Sequence, residues 1–176
     1  MYRDSVEISE LGYPIHYREM RLCRDTMGAG RTRGAPGLTM TYGPSDHPMT
    51  VVFAADGQRN PARGVRGGGD GNVGCIERID PDGTTTQMPN VGQFVLKKGQ
   101  WLRGLDTAGG GYGNPLLRDP TRVREDVLEG YASEAHAREV YGVVFIGCVE
   151  DETLAVDAAA TATLRAALRA ARPRNE

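Results

Sequence analysis

Residues 109–120 read Gly109-Gly110-Gly111-Tyr112-Gly113-Asn114-Pro115-Leu116-Leu117-Arg118-Asp119-Pro120, and this run divides the chain into two kinds of sequence. Behind it lies a glycine-rich stretch, with twenty of the 24 glycines between Gly28 and Gly113. Ahead of it the grammar is helical. Asp119 followed by Pro120 is an N-cap with proline at the first helical position, where a missing N–H costs no hydrogen bond. Val123, Val127 and Leu128 then share a face, Arg122 and Asp126 stand four apart as an expected ion pair, and Gly130 can end the helix. Ser133 caps a second helix through Tyr141, stopped by Gly142. A strand over 143–146 follows. Asp157 caps an alanine-rich helix carrying Leu164 and Leu168, and its stripe of Arg165, Arg169 and Arg172 reads as a solvated face.

Upstream of the run the short apolar segments read as strands. Residues 13–22 alternate at Ile15 and Tyr17 and then slip toward Met20 and Leu22, which predicts an irregularity near Glu19. Leu38, Met40 and Tyr42 have period two, and the β-branched Met49–Ala54 reads as a buried strand. Val73–Ile79 runs into Asp80-Pro81-Asp82-Gly83, a hairpin turn leading to Thr84-Thr85-Thr86. Phe94–Leu96 and Trp101–Arg103 flank Lys97-Lys98-Gly99-Gln100 as a second hairpin. The expected fold is α+β: a mostly antiparallel β-sheet over residues 6–107, then a helical C-terminal third with one intervening strand. It is read as a single domain, 1–176, with a β-rich segment over 1–107, a glycine loop over 108–118, a helical segment over 119–172 and a disordered tail over 173–176.

Composition excludes several classes. With 21 Lys and Arg against 23 Asp and Glu, a formal net charge of −2 and a pI near 6.0, the chain has no basic field for nucleic acid. No run approaches the roughly 18 apolar residues of a membrane span. Cys23, Cys75 and Cys148 are odd in number and widely spaced, and no signal-peptide pattern opens the chain. Reduced thiols and a cytoplasmic location are therefore expected.

Three glycine-rich loops invite a phosphate-binding reading: Gly28–Gly34 with Arg31 and Arg33, the segment around Gly67-Gly68-Gly69 preceded by Arg59, Arg63 and Arg66, and Gly109–Asn114. None ends in the Lys-Ser/Thr of a P-loop or sits in a strand–GxGxxG–helix frame, so tight turns needing positive φ are the plainer reading. His16, His47 and His136 have no metal-ligand spacing, no CxxC is present, and no Gly-x-Ser-x-Gly elbow occurs. No self-contained active site is legible.

The run 109–120 resembles a signature near the C-terminus of the hydantoinase B/oxoprolinase family. Further segments resemble that family in order: Tyr13-Pro14-Ile15, Gly28–Gly34, Val123–Val144 and Val156–Arg169. The glycine run before Tyr112 is one residue shorter than usual there, and Asn114 stands where aspartate is common. The resemblance implies a small subunit supplying the C-terminal B-type domain to a multi-subunit, ATP-dependent enzyme. That enzyme would be a carboxylase of ketones such as acetone or acetophenone, preferred for its small chains, or a hydantoinase-type hydrolase of cyclic amides. A non-catalytic structural or regulatory module of such a complex is the alternative. Partners implied are an A-type actin-like ATPase subunit and a truncated B-type subunit, in a hetero-oligomer. No cofactor is expected on this chain: ATP, magnesium and a metal ion would sit on the partners, without biotin. Catalytic residues stay unassigned. The substrate- or interface-loop candidates are Gly109, Gly110, Gly111, Tyr112, Gly113, Asn114, Arg31 and Arg33, because a side-chain-free loop beside a tyrosine allows close approach.

Overall fold

The computed structural model describes residues 5–171. Its elements run α1 (Val6–Gly12), β1 (Ile15–Leu22), β2 (Leu38–Pro44), β3 (Met49–Ala54), β4 (Cys75–Ile79), β5 (Thr85–Gln87), β6 (Val91–Leu96) and β7 (Trp101–Leu105). Then come α2 (Pro120–Leu128), α3 (Glu134–Tyr141), β8 (Phe145–Ile146), β9 (Ala155–Val156) and α4 (Ala158–Ala171). The fold is α+β with antiparallel pairing throughout the named strands. The expected tail 173–176 lies outside the described residues, as does Arg172. Among the described residues no helix is long and apolar enough to cross a membrane.

Two compact units divide the chain, and each is assembled from three discontinuous segments. The first takes residues 1–23, 37–61 and 72–108; the second takes 24–36, 62–71 and 109–176. Two glycine loops from the strand-rich stretch of the sequence therefore fold with the helical third.

In the first unit a five-stranded sheet has the order β1-β2-β7-β4-β5, beside a β3-β6 ribbon. Val51, Leu96 and Leu102 form the core between them, with Tyr42, Met49, Phe53, Ile76 and Phe94 packed around. Residues 97–100 do make a turn, with Gln100 N–H donating to Lys97 O at 3.0 Å and Gly99 at φ +84. The strands it joins are not a hairpin: β6 pairs with β3, and β7 pairs with β2 and β4. The turn is a corner between two layers, because Leu96 and Leu102 must enter one core from opposite sides. Residues 6–12 are helix rather than strand, started by Ser5, whose hydroxyl accepts from Ile8 N–H. Strand β3 is half solvent-facing: Val51 is buried, while Val52 is 73% exposed. The irregularity near Glu19 is a register shift between Tyr17 and Glu19. It leaves Arg18 outside the ladder with its guanidinium 3.8 Å from the Trp101 ring centre.

In the second unit Met27, Ala29, Val123, Val127, Ala132, Ala137, Tyr141, Val143 and Leu154 make the core. The caps at Asp119, Ser133 and Asp157 each hold: their side-chain oxygens accept from the N–H of Thr121, His136 and Ala160 at 2.9, 3.0 and 2.9 Å. Gly130 and Gly142 take positive φ at the ends of α2 and α3. The strand expected over 143–146 shrinks to Phe145–Ile146, and a second strand, Ala155–Val156, pairs with it. Val143 is spent in the core, and Val144 N–H donates to Thr161 Oγ1 of α4 at 3.0 Å. Of the arginine stripe on α4, Arg169 is exposed as expected, Arg172 lies outside the described residues, and Arg165 is half-buried rather than solvated. Arg165 donates to Tyr141 O and Arg118 O, at 3.0 and 2.7 Å, and Arg169 donates to Leu116 O at 3.4 Å.

Candidate functional site

All three glycine loops belong to the second unit, where their backbones pack directly on one another. Gly28 N–H donates to Gly109 O (2.8 Å), Gly69 N–H to Ala29 O (2.7 Å), Gly111 N–H to Gly69 O (2.9 Å) and Val65 N–H to Gly111 O (2.9 Å). A Cβ on Gly28, Gly34, Gly64, Gly68, Gly110 or Gly111 would fall well inside 3.0 Å of a neighbouring loop's or turn's main chain. Of the glycines in these loops only Gly67 and Gly113 have positive φ. Close approach, then, and not turn conformation, is what requires most of them.

The same bonds dispose of a phosphate cradle. The N–H groups of Gly28, Gly34, Gly68, Gly69, Gly109, Gly111 and Gly113 already donate to carbonyls. A bound phosphate needs such amides free. Among the described residues no group of three or more His, Cys, Asp or Glu could hold a metal ion. The seven amides are therefore engaged within the scaffold and not free to cradle a phosphate.

Tyr112 stands at the edge of this scaffold, 40% exposed. Its main chain exchanges two hydrogen bonds with Thr32, at 2.8 and 3.0 Å, and bridges Val65 on its other side. Gly113 N–H donates to Val65 O (2.9 Å), and Gly113 O accepts from Arg31 N–H (3.1 Å). The Arg66 guanidinium lies 5.7 Å from the centre of the Tyr112 ring, within cation–π range. The structure therefore brings Gly109–Asn114 and Arg31 together and adds Arg66.

Asn114 and Arg33 have structural work. Asn114 Oδ1 accepts from Leu116 N–H at 2.9 Å, capping a single 3-10 turn over Pro115–Leu117, a task an aspartate performs as well. Arg33 faces inward: its Nε donates to Asp126 Oδ1 at 2.6 Å, and its guanidinium lies 5.0 Å from the Tyr131 ring. Arg118 takes the other carboxylate oxygen through Nε and Nη2, at 3.2 and 2.8 Å, and donates to Arg31 O through Nη1. Asp126 thus pairs with two arginines rather than with Arg122, which lies 4.0 Å from Glu125. Arg118 sits inside the run 109–120, so its position was on view; its partner was not.

Asp70 ties down the middle loop. Its carboxylate accepts from Gly64 N–H (2.8 Å) and Arg63 Nη1 (2.6 Å), and these two bonds, the amide's first, hold its pKa below the ordinary carboxylate range. A carboxylate with a depressed folded pKa contributes stability above its unfolded value, about 3.9, and loses it as pH falls through the folded value. Asp70→Asn is therefore expected to lower the thermal midpoint at pH 7 and to match the wild type once the pH is well below 3.9. Equal midpoints at both pH values, followed by circular dichroism, would remove Asp70 as the tether.

A model of the family described as hydantoinase B/oxoprolinase matches residues 1–115. The chain is 32% identical over 166 residues to caprolactamase subunit beta of Pseudomonas jessenii, covering 92% of this chain and 28% of that protein. It is 28% identical to the acetone carboxylase alpha subunit of Xanthobacter autotrophicus, covering 93% of this chain and 25% of the relative. The solved structure of an ATP-dependent caprolactamase from Pseudomonas jessenii superposes with a TM-score of 0.73 at 27% identity, over 92% of this chain and 28% of that one. The chain spans about a quarter of the length of the curated relatives it matches.

Proposed function

Because the chain belongs to the hydantoinase B/oxoprolinase family, we propose that it serves as a portion of a B-type subunit in a hetero-oligomeric, ATP-dependent enzyme. In this reading it contributes the glycine scaffold that presents Tyr112, and an A-type ATPase subunit and the rest of the B-type fold are its partners. ATP, magnesium and a metal ion belong to those partners. The single observation that carries the reading is the match to caprolactamase subunit beta over 92% of this chain. That relative is the more similar of the two reported, so hydrolysis of a cyclic amide is the first reaction proposed. ATP-dependent carboxylation of a ketone, favoured from the sequence, is the second, supported by the match to the acetone carboxylase alpha subunit over 93% of this chain.

Reconstitution tests this directly. The A-type and B-type partners would be assayed with and without this chain for ATP-dependent turnover of caprolactam, hydantoin and acetone. Turnover is expected to need the chain and to be fastest on a cyclic amide. Undiminished turnover without it would overturn the catalytic reading, and so would a monodisperse 19 kDa monomer that ignores both partners.

A further inference from the structure

We propose that Arg31, Arg66 and Tyr112 form a binding site for a small oxyanion, a carboxylate or a phosphoryl group, held by side chains rather than by loop amides. The first ground is charge. Both guanidiniums are exposed, and among the described residues neither makes an ion pair. The arginines around them, Arg33, Arg63 and Arg118, each have a carboxylate.

The second ground is the cost at which Arg66 is placed. Val65-Arg66-Gly67-Gly68 is a tight turn closed by Gly68 N–H donating to Val65 O at 3.1 Å, with Arg66 at φ +52 and Gly67 at φ +85. That is the geometry of a type I′ turn, whose first central position suits glycine, asparagine or aspartate. A long β-substituted residue in the left-handed region is strained, and such strain concentrates at ligand sites. Here it sets a guanidinium beside the Tyr112 ring.

The third ground is rigidity. Arg31 is bound through its N–H to Gly113 O, and Val65, the residue before Arg66, is bound to Gly111 O and Gly113 N–H. The main chain at Arg31 and beside Arg66 is thus fixed to the same few residues that carry the half-exposed Tyr112. Guanidinium forks bind carboxylate and phosphate in two-pronged fashion, and a tyrosine hydroxyl can donate alongside them. The choice of anion rests on the reading above: amide hydrolysis releases a carboxylate, carboxylation makes one, and ATP-dependent chemistry passes phosphoryl groups.

The test needs no turnover, so it stands or falls separately from the reconstitution assay. The full chain would be titrated with sodium acetate and, separately, inorganic phosphate, at constant ionic strength set by chloride. The amide resonances of Val65, Arg66, Tyr112 and Gly113 would be followed. Saturable shifts are expected at those residues. Arg31→Ala and Arg66→Gly should each weaken the apparent Kd about tenfold, while Arg122→Ala leaves it unchanged. Arg66→Gly should also leave the thermal midpoint at or above the wild-type value, because glycine relieves the turn. Saturation by acetate supports a carboxylate ligand, and saturation by phosphate alone supports a phosphoryl one. Non-saturating shifts with both anions, or shifts that persist in the Arg31→Ala/Arg66→Gly double variant, would overturn the proposal.

Discussion

Replacing Gly34 with alanine is expected to cost about 3–5 kcal/mol, enough to unfold the helical unit of a marginally stable chain. The added methyl would occupy the carbonyl of Gly109 and stand 3.0 Å from its Cα. That carbonyl cannot move aside. Gly109 O accepts from Gly28 N–H, and Gly109 N–H donates to Ala35 O at 2.9 Å, so shifting either side of the contact breaks a backbone hydrogen bond. Neither Gly34 nor Gly109 takes a positive φ. The effect is therefore purely one of space, which a second glycine can check. Gly104, in the middle of β7, has nothing within 4 Å of its would-be Cβ. Gly104→Ala should be neutral or stabilise by up to about 1 kcal/mol, by restricting the unfolded chain. Urea unfolding followed by circular dichroism measures both. A Gly34→Ala protein within 1 kcal/mol of wild type would mean that the loops are not packed as described.

The contrast between these glycines explains which features of the fold were legible in the sequence. Asp119, Ser133 and Asp157 announced three helix starts because a cap is satisfied within three residues of itself. Asp80–Gly83 announced its turn for the same reason, with Gly83 N–H donating to Asp80 O at 2.9 Å. The hairpin across it also holds, with Ile79 opposite Thr85, and what failed were the choices in which a distant partner displaced a near one. Lys97–Gln100 is a real turn, but nothing local says that Leu96 and Leu102 leave it for different sheets. Arg122 stood one helical turn from Asp126, yet the carboxylate went to arginines 93 and 8 residues away. The glycine loops fell to the same limit. Glycine at a positive-φ turn and glycine under a neighbouring backbone look alike in a sequence, although a methyl group is strained at the first by conformation and has no room at the second. Of the candidate site, Tyr112, Arg31 and Arg66 were all legible as residues of the glycine loops, whereas the contact of Arg66 with the Tyr112 ring and its strained φ were not.

Removing the shared carboxylate should be the other large effect, and Asp126→Ala is expected to destabilise by about 3–5 kcal/mol. Asp126 is 5% exposed at its side chain and Arg118 10%, with Arg33 at 22%. Two positive charges would then be left against a buried wall with no counter-ion, the situation in which loss of one partner costs far more than the pair itself contributes. The damage would also reach the candidate site. Arg33 anchors the first glycine loop, and Arg118 donates to Arg31 O beside Tyr112. A cycle with Arg118→Met separates these causes. If uncompensated charge dominates, the Asp126→Ala/Arg118→Met protein should be distinctly more stable than the sum of its single changes predicts, because fewer buried charges are left orphaned. Additive losses would instead point to cavity formation. The exposed Arg122→Ala should cost under about 0.5 kcal/mol and serves as the surface reference. Salt gives a further check, since exposed pairs are screened far more than buried ones. The Asp126→Ala loss should persist at 1 M sodium chloride, and its disappearance there would show that the cluster is solvent-accessible and not the internal fastening described.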